Sequence, residues 1–356
     1  MRNPIGGSKE KFMNSNQKSN GQAVKIMDNQ FKKSKVAVCI ASLCITTAVG
    51  ANPVGEEVVH GSAAFERLGN ELNITNSDGA IINWQDFSIA QDEAVNFLQN
   101  SVNSSVLNRV IGGIPSEILG SLNSNGRVFL INPNGLVIGE GAKIDTAGFV
   151  GSTLDISNED FIDGNLSFRG DGGKIENRGY IAAGPNGEVV LIAPTVENHG
   201  IIKAEDGKIL LAAGREITLH SLNLGGISYR VSAPEDSVLN IGELVATNGS
   251  VKVFADQIFQ TGTISANRAY RDANGDIVLE ADSNLHVSGD ITVSGTGVDG
   301  GTIHLLGDEI DVVGANIDAE HTARAIALFQ AGEGGLCAII VEPHPVDNRA
   351  ILNQPK

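Results

Sequence analysis

The chain has 356 residues, of which 43 are glycine and only 4% are aromatic, and its formal net charge is −17. Such acidity excludes nucleic acid as the expected partner, because a phosphate-binding surface needs clustered Lys and Arg. Many glycines with few aromatics exclude an aromatic-rich globular core and point instead to short strands joined by tight turns.

Residues 1–50 differ from the rest of the chain. They hold eight of the 25 basic residues and only two acids, Glu10 and Asp28. "VAVCIASLCITTAV" (Val36–Val49) is an uncharged, mostly apolar run, and Gly50 and Ala51 continue a small-residue exit. A basic lead, an apolar core and a small-residue exit make a secretory signal. The run is too short to anchor the chain across a bilayer. The lead is long, so either translation starts at Met13 or Met27 or the signal is of an extended type. Cleavage near Ala51 or Asn52 leaves 17 basic and 40 acidic residues, a net charge of −23. Cys39 and Cys44 depart with the signal and only Cys337 remains. The exported chain therefore holds itself by packing and hydrogen bonds, without an internal disulfide.

Helical periodicity is almost absent. "DEAVNFLQNSVNSSVLNRVI" (Asp92–Ile111) sets Val95, Leu98, Val102 and Val106 at spacings of three and four, and predicts a helix. Next comes "GRVFLINPNGLVIGEGAKID" (Gly126–Asp145), where two short apolar runs flank the tetrad Asn132-Pro133-Asn134-Gly135. Pro133 presets φ at position i+1 of a type I turn, Asn132 at position i can bond back to the backbone, and Gly135 at i+3 adds no strain. A hairpin end and the corner of a larger coil fit this stretch equally well. The tetrad is read as exposed, so its loss should cost only about 1–2 kcal/mol of stability.

Downstream repeats favour the coil. "KIENRGYIAA" (Lys174–Ala183) and "TVENHGIIKA" (Thr195–Ala204) align at an offset of 21, matching Asn177 to Asn198, Gly179 to Gly200 and Ile181 to Ile202. "GEVVLIA" (Gly187–Ala193) matches "GKILLAA" (Gly207–Ala213) at 20. "GSVKVFA", "GDIVLEA" and "GTIHLLG", starting at Gly249, Gly275 and Gly301, recur at 26. "GTISA", "GDITV" and "ANIDA", starting at Gly262, Gly289 and Ala315, recur at 27 and 26. Strands repeating at a near-fixed period without helices signal a solenoid. The expected fold is all-β: a right-handed single-stranded parallel β-helix with short extra-helical β elements near the N-terminus. A β-sandwich competes, but sandwiches do not repeat in register. Asn177 above Asn198 predicts an internal amide ladder.

The register stops after Asp318. The predicted organisation is a signal region over 1–50, an N-terminal cap with the first coils over 51–165, regular coils over 166–318, and an irregular tail over 319–356. The tail is expected to lie outside the helix, with a short helix at His321–Gln330, as if the reading frame were truncated or shifted there. The alternative is that "CAIIV" pairs as one last strand and caps the open coil.

"VVHGSAAF" (Val58–Phe65), "IINWQDFSIAQDEAVNFLQ" (Ile81–Gln99), "SSVLNRVIGG" (Ser104–Gly113), "NGRVFLINPNGLVIG" (Asn125–Gly139) and "GFVGSTLDISNEDF" (Gly148–Phe161) together resemble the N-terminal secretion domain of two-partner secretion exoproteins. The resemblance runs in order from about Asn52 to Asp318. The branch of the high-molecular-weight adhesins is nearer than that of filamentous haemagglutinin. It implies crossing of the inner membrane through the general secretory translocon. It also implies capture by the POTRA domains of a dedicated outer-membrane β-barrel transporter, then folding at the surface. Asn132, Pro133, Asn134 and Gly135 match one family motif tied to secretion. A second motif, NPNL, is not found. The downstream role implied is adhesion to a host-cell surface ligand, with haemolysis or haem acquisition as alternatives.

Other chemistry is sparse. The histidines, His60, His199, His220, His286, His304, His321 and His344, form neither HExxH nor a close pair, so no metal site is expected. "GTGVDGGT" (Gly295–Thr302) lacks the order and repetition of a calcium nonapeptide. "RGD" at Arg169–Asp171 is explained as a glycine-rich loop. Ser116 lacks nucleophile-elbow spacing. Polysaccharide-cleaving β-helix enzymes are the rival class. They would need carboxylates gathered with Lys or Arg in one groove. The expectation is no catalytic residue and no cofactor.

Overall fold

The computed structural model describes residues 52–219, 227–230, 236–269, 275–296, 298, 300–319, 325–331 and 335–341. The predicted signal region 1–50 lies outside the described residues.

The chain winds into coils with three strand-bearing faces, here A, B and C. On face A, ten strands from Ala80–Trp84 to Ala325–Ala331 pair in parallel, each with its equivalent in the coils before and after. Face C stacks from Glu71–Asn76 to Asn316–Asp318 in the same way. Face B begins at Ser116–Ile118 and continues through Leu136–Ile138, Ile175–Asn177 and Thr195–Asn198 to Glu309–Val312. Parallel strands joined by same-handed crossovers give a right-handed β-helix. The repeats align as read: Asn177 opposite Asn198, Ile181 opposite Ile202, Val251 opposite Ile277 and Ile277 opposite Ile303.

The interior is aliphatic because each inward position meets the same position one coil away. Val189, Ile209, Val251, Ile277 and Ile303 form one such column, none more than 2% exposed. Burying each of these side chains contributes about 1.5–3 kcal/mol. Between faces B and C the column turns polar. The Asn177 amide donates to Asn198 Oδ1 at 2.7 Å, Asn198 to Asn240 Oδ1 at 2.8 Å, and Asn240 to Gln260 Oε1 at 2.9 Å. The predicted two-rung ladder thus has four members. Beyond this ladder the coils approach closely: a Cβ on Gly242 would lie 2.0 Å from the Gly200 carbonyl oxygen. A second amide ladder, Asn123 to Asn96 to Asn73 at 2.9 Å per step, runs half-buried on face C.

Two features lie outside the coils. At the N-terminal end, Glu57–His60 pairs antiparallel with Ala80–Trp84, and Ala63–Leu68 with Glu71–Asn76. Phe65 and Phe87 meet the Trp84 ring edge-on at 5.7 and 5.4 Å, and the Trp84 indole donates to Asn108 at 3.0 Å. Farther along, an antiparallel sheet of Leu166–Arg169, Glu216–Leu219 and Ile227–Arg230 joins a helix, Asn158–Asp163, over the outer side of face A. Ser157 caps that helix by accepting from Asp160 N, and Gly164 ends it in the left-handed region. Phe129, Val150, Val190 and Leu210 are the outward residues covered there. The stripe becomes polar at Lys252, next in that column.

Two expectations need correction. Asp92–Ile111 is not a helix but the strands Ala94–Leu98 and Ser105–Val110. Val95, Phe97, Val106 and Val110 point inward at the strand period of two, while Leu98 and Val102 are exposed. Nor does pairing stop at Asp318. Ala325–Ala331 pairs in parallel with Thr302–Gly307, and Gly335–Val341 folds back antiparallel on it, with Cys337 opposite Phe329. No helix forms over Ala325–Gln330, because an open coil edge offers a row of N–H and C=O groups that a strand satisfies.

Candidate functional site

Asn132–Gly135 is the turn from face A to face B in its coil. The strands on either side, Arg127–Ile131 and Leu136–Ile138, pair with neighbouring coils rather than with each other, so the tetrad is a corner and not a hairpin. Gly135 N donates to Asn132 O at 3.1 Å, closing the turn. Asn132 Oδ1 accepts from Asn134 N at 2.9 Å, the return bond expected of Asn at position i.

The expectation of a fully exposed tetrad is corrected. Asn132 is fully buried, Gly135 is buried with φ +130°, and only Pro133 and Asn134 face solvent. The Asn132 amide donates to Ile114 O at 2.9 Å and to Ser116 Oγ at 3.0 Å. Asn134 Nδ2 donates to Gly112 O at 2.8 Å. From the other side, Gly173 N donates to Pro133 O at 2.8 Å, and Leu136 N to Lys174 O at 3.1 Å. The corner therefore ties three successive coils. The same A-to-B corner of the next coil is the long excursion from Thr153 to Lys174 that carries the helix and the first strand of the outer sheet. Sequence reading missed Ser116 and the loop Ile111–Pro115 as partners of the tetrad.

The other singled-out residues do not join this corner. Arg169 pairs with Glu216 at 3.1 Å and Asp171 with Arg215, so both charged ends of "RGD" are engaged within the protein. His199 lies with Glu197 and Glu176 in a cluster whose ligand atoms fall within 4.8 Å of one another. Lys174 bridges both glutamates at 2.8 and 3.1 Å, and Arg178 pairs with Glu176. These cations, Lys174 foremost, hold the Glu176 carboxyl below its ordinary range, which makes the cluster an ion-pair ladder along face B. His286 Nδ1 lies 3.0 Å from Asp311 Oδ2 at a shallow groove lined also by Leu239, Phe259 and Glu309. That groove holds two carboxylates without an arginine. Within "GTGVDGGT", Arg268 Nη1 donates to Gly300 O at 2.9 Å.

A model of the TPS secretion domain family matches residues 50–293. The crystal structure of the HMW1 secretion domain from Haemophilus influenzae aligns with a TM-score of 0.77 at 40% identity, over 80% of this chain and 78% of that one. A heme/hemopexin-binding protein of Haemophilus influenzae is 35% identical over 232 residues, 60% of this chain and 25% of its own length. A second protein of that name and organism is 35% identical over 131 residues, 35% of this chain and 14% of its length. The chain spans a quarter or less of these curated relatives. The matched family is a secretion module rather than an enzyme family. Parallel coils capped by antiparallel strands, with a family match over most of the described residues, lead to one assignment: the chain belongs to the TPS secretion domain family and is the secretion-domain part of a two-partner-secreted exoprotein, which crosses the outer membrane.

Proposed function

We propose that residues 52–318 are the module by which a dedicated outer-membrane transporter takes hold of the exoprotein, and that the Asn132–Gly135 corner belongs to the gripped surface. The chain reaches the periplasm through the general secretory translocon, and the transporter's POTRA domains receive it there. The observation that carries this reading is the division of labour in the tetrad. Asn132 is committed to the neighbouring coil, while Pro133 and Asn134 are exposed at the corner, so half of the tetrad is not consumed by packing. Co-production with the cognate transporter tests it. Deleting the transporter should leave mature protein in the periplasm. Pro133→Ala with Asn134→Ala should lower release to the medium without unfolding the protein. Wild-type release of that variant would remove the corner from the gripped surface.

For the exoprotein as a whole we propose adhesion to a host-cell surface ligand. A second reading, haem acquisition, is favoured by the two relatives whose names describe binding of heme and hemopexin. Retention of the secreted protein on host cells, against retention on immobilised haemopexin, separates the two.

A further inference from the structure

Two buried aspartates meet where the outer sheet rejoins the coils. The chain leaves face A after Lys208–Ala213, runs out through Glu216–Leu219 and Ile227–Arg230, and returns to face B at Ser237–Asn240. Asp236 immediately precedes that last strand. Asp256 is its equivalent one coil on, because Ser237 pairs with Gln257 and Gln257 N donates to Asp236 O at 3.2 Å. Asp236 is 1% exposed and Asp256 5%. Both carboxylate oxygens of Asp236, and Oδ2 of Asp256, are buried without a hydrogen-bond partner. Asp256 Oδ1 accepts from the Ser283 hydroxyl. Asp282 and Asp308 hold this corner in the later coils, but both are exposed.

A buried carboxylate needs a compensating charge or must give up its own. Arg215 Nε lies 3.3 Å from Asp236 Oδ1, out of hydrogen-bond alignment, and the same guanidinium is shared with Asp171. One guanidinium against the carboxylates of Asp171, Asp236 and Asp256 leaves two negative charges over. Burial pushes the Asp236 carboxyl above its ordinary range against the pull of Arg215, and the Asp256 charge adds to the rise. The cluster of Glu176, Glu197 and His199 is different, since Lys174 and Arg178 already supply positive charge there.

We propose that Asp236 and Asp256 bind a hard divalent cation, calcium at extracellular concentration, which clamps the returning end of the outer sheet to the next coil. Neighbouring strands lie about 4.8 Å apart. An ion holding one oxygen from each aspartate at about 2.3–2.6 Å spans that gap. Its two positive charges balance what Arg215 leaves over. The unpartnered oxygens are closed to solvent, so the ion enters as the coils stack, and its binding is part of folding.

The test uses the mature protein, unfolded in urea, stripped with EDTA, and refolded either with about 2 mM CaCl2 or with EDTA present. After dialysis against NaCl, atomic emission should find one calcium retained per chain. Calcium should also raise the urea midpoint by roughly 0.5 M or more over NaCl of matched ionic strength. Asp256→Asn keeps the Arg215–Asp236 pair and the Ser283 bond, and should lose both effects. Glu197→Gln, in the ion-pair ladder of face B, should keep both. Wild-type retention is the deciding readout should Asp256→Asn fail to refold. No retained calcium in the wild type, a midpoint shift equalled by NaCl, or calcium held by Asp256→Asn as tightly as by the wild type overturns the proposal.

Discussion

Asn198→Ala offers a quantitative test of the buried amide ladder. Asn198 accepts from Asn177 at 2.7 Å and donates to Asn240 at 2.8 Å, and all three side chains are 1% exposed or less. Truncation orphans a donor on Asn177 and an acceptor on Asn240, both fully buried. At about 1–3 kcal/mol for each unsatisfied buried group, the expected loss is about 2–6 kcal/mol. Asn96→Ala is the control, since Asn96 makes the same two amide bonds at 2.9 Å in the half-buried ladder on face C. Water can replace the missing partner there, so the loss should be about 1 kcal/mol or less. Equilibrium urea unfolding of the mature protein, followed by circular dichroism and Trp84 fluorescence together, gives both values. Equal losses at the two sites would refute the claim that burial, rather than the amide bonds themselves, sets the cost.

Asn132→Ala leaves the buried Ser116 hydroxyl without its partner and should cost about 1–3 kcal/mol, whereas Asn134→Ala, in solvent, should cost under about 1 kcal/mol; thermal midpoints rank them. Gly242→Ala places a Cβ 2.0 Å from the Gly200 carbonyl and should destabilise by about 3 kcal/mol or more, with a Tm near wild type as the refuting outcome. Burial pushes the Glu188 carboxyl above its ordinary 4.5 even though Arg127 lies 2.6 Å away. The folded protein then holds that proton more tightly than the unfolded chain, so this contribution is present at low pH and is lost as pH rises from 4.5 through the raised value. Urea midpoints of wild type and Glu188→Gln at about pH 4.5 and about 7.5 should show the wild type losing more across that window.

Register was readable because a solenoid repeats its inward residues. Val251, Ile277 and Ile303 announce themselves at 26-residue steps, and the structure stacks them. The helix expected over Asp92–Ile111 shows the limit. Two strands with inward Val95 and Phe97, then Val106 and Val110, flank a polar loop whose length leaves Leu98 and Val102 at helical spacing by coincidence. Short strands give too few alternations to outvote such a coincidence. Turn chemistry at Asn132-Pro133-Asn134-Gly135 was equally readable, since every role in it is local. What Asn132 and Asn134 hold was not, because Gly112, Ile114 and Ser116 belong to another coil and nothing in their own sequence points to an asparagine some twenty residues on. The real helix had a local signal, "SNED", in which Ser157 accepts from Asp160 N.

The outer sheet sets an order of assembly. Within the coils, a strand needs only the layer beneath it, so residues can be laid down one turn at a time. Leu166–Arg169 is different: its antiparallel partner is Glu216–Leu219, about fifty residues later. A chain folding from its N-terminal end therefore passes through a stage with its inner core built only as far as Ala213 and Phe168, Val190 and Leu210 not yet joined by Glu216–Leu219. Closure of the sheet ends that stage, since Ile217 and Leu219 then join the same outer cluster. Until it does, the nascent domain is sticky on that flank as well as at its open coil end, and anything that guards it against aggregation has both to cover.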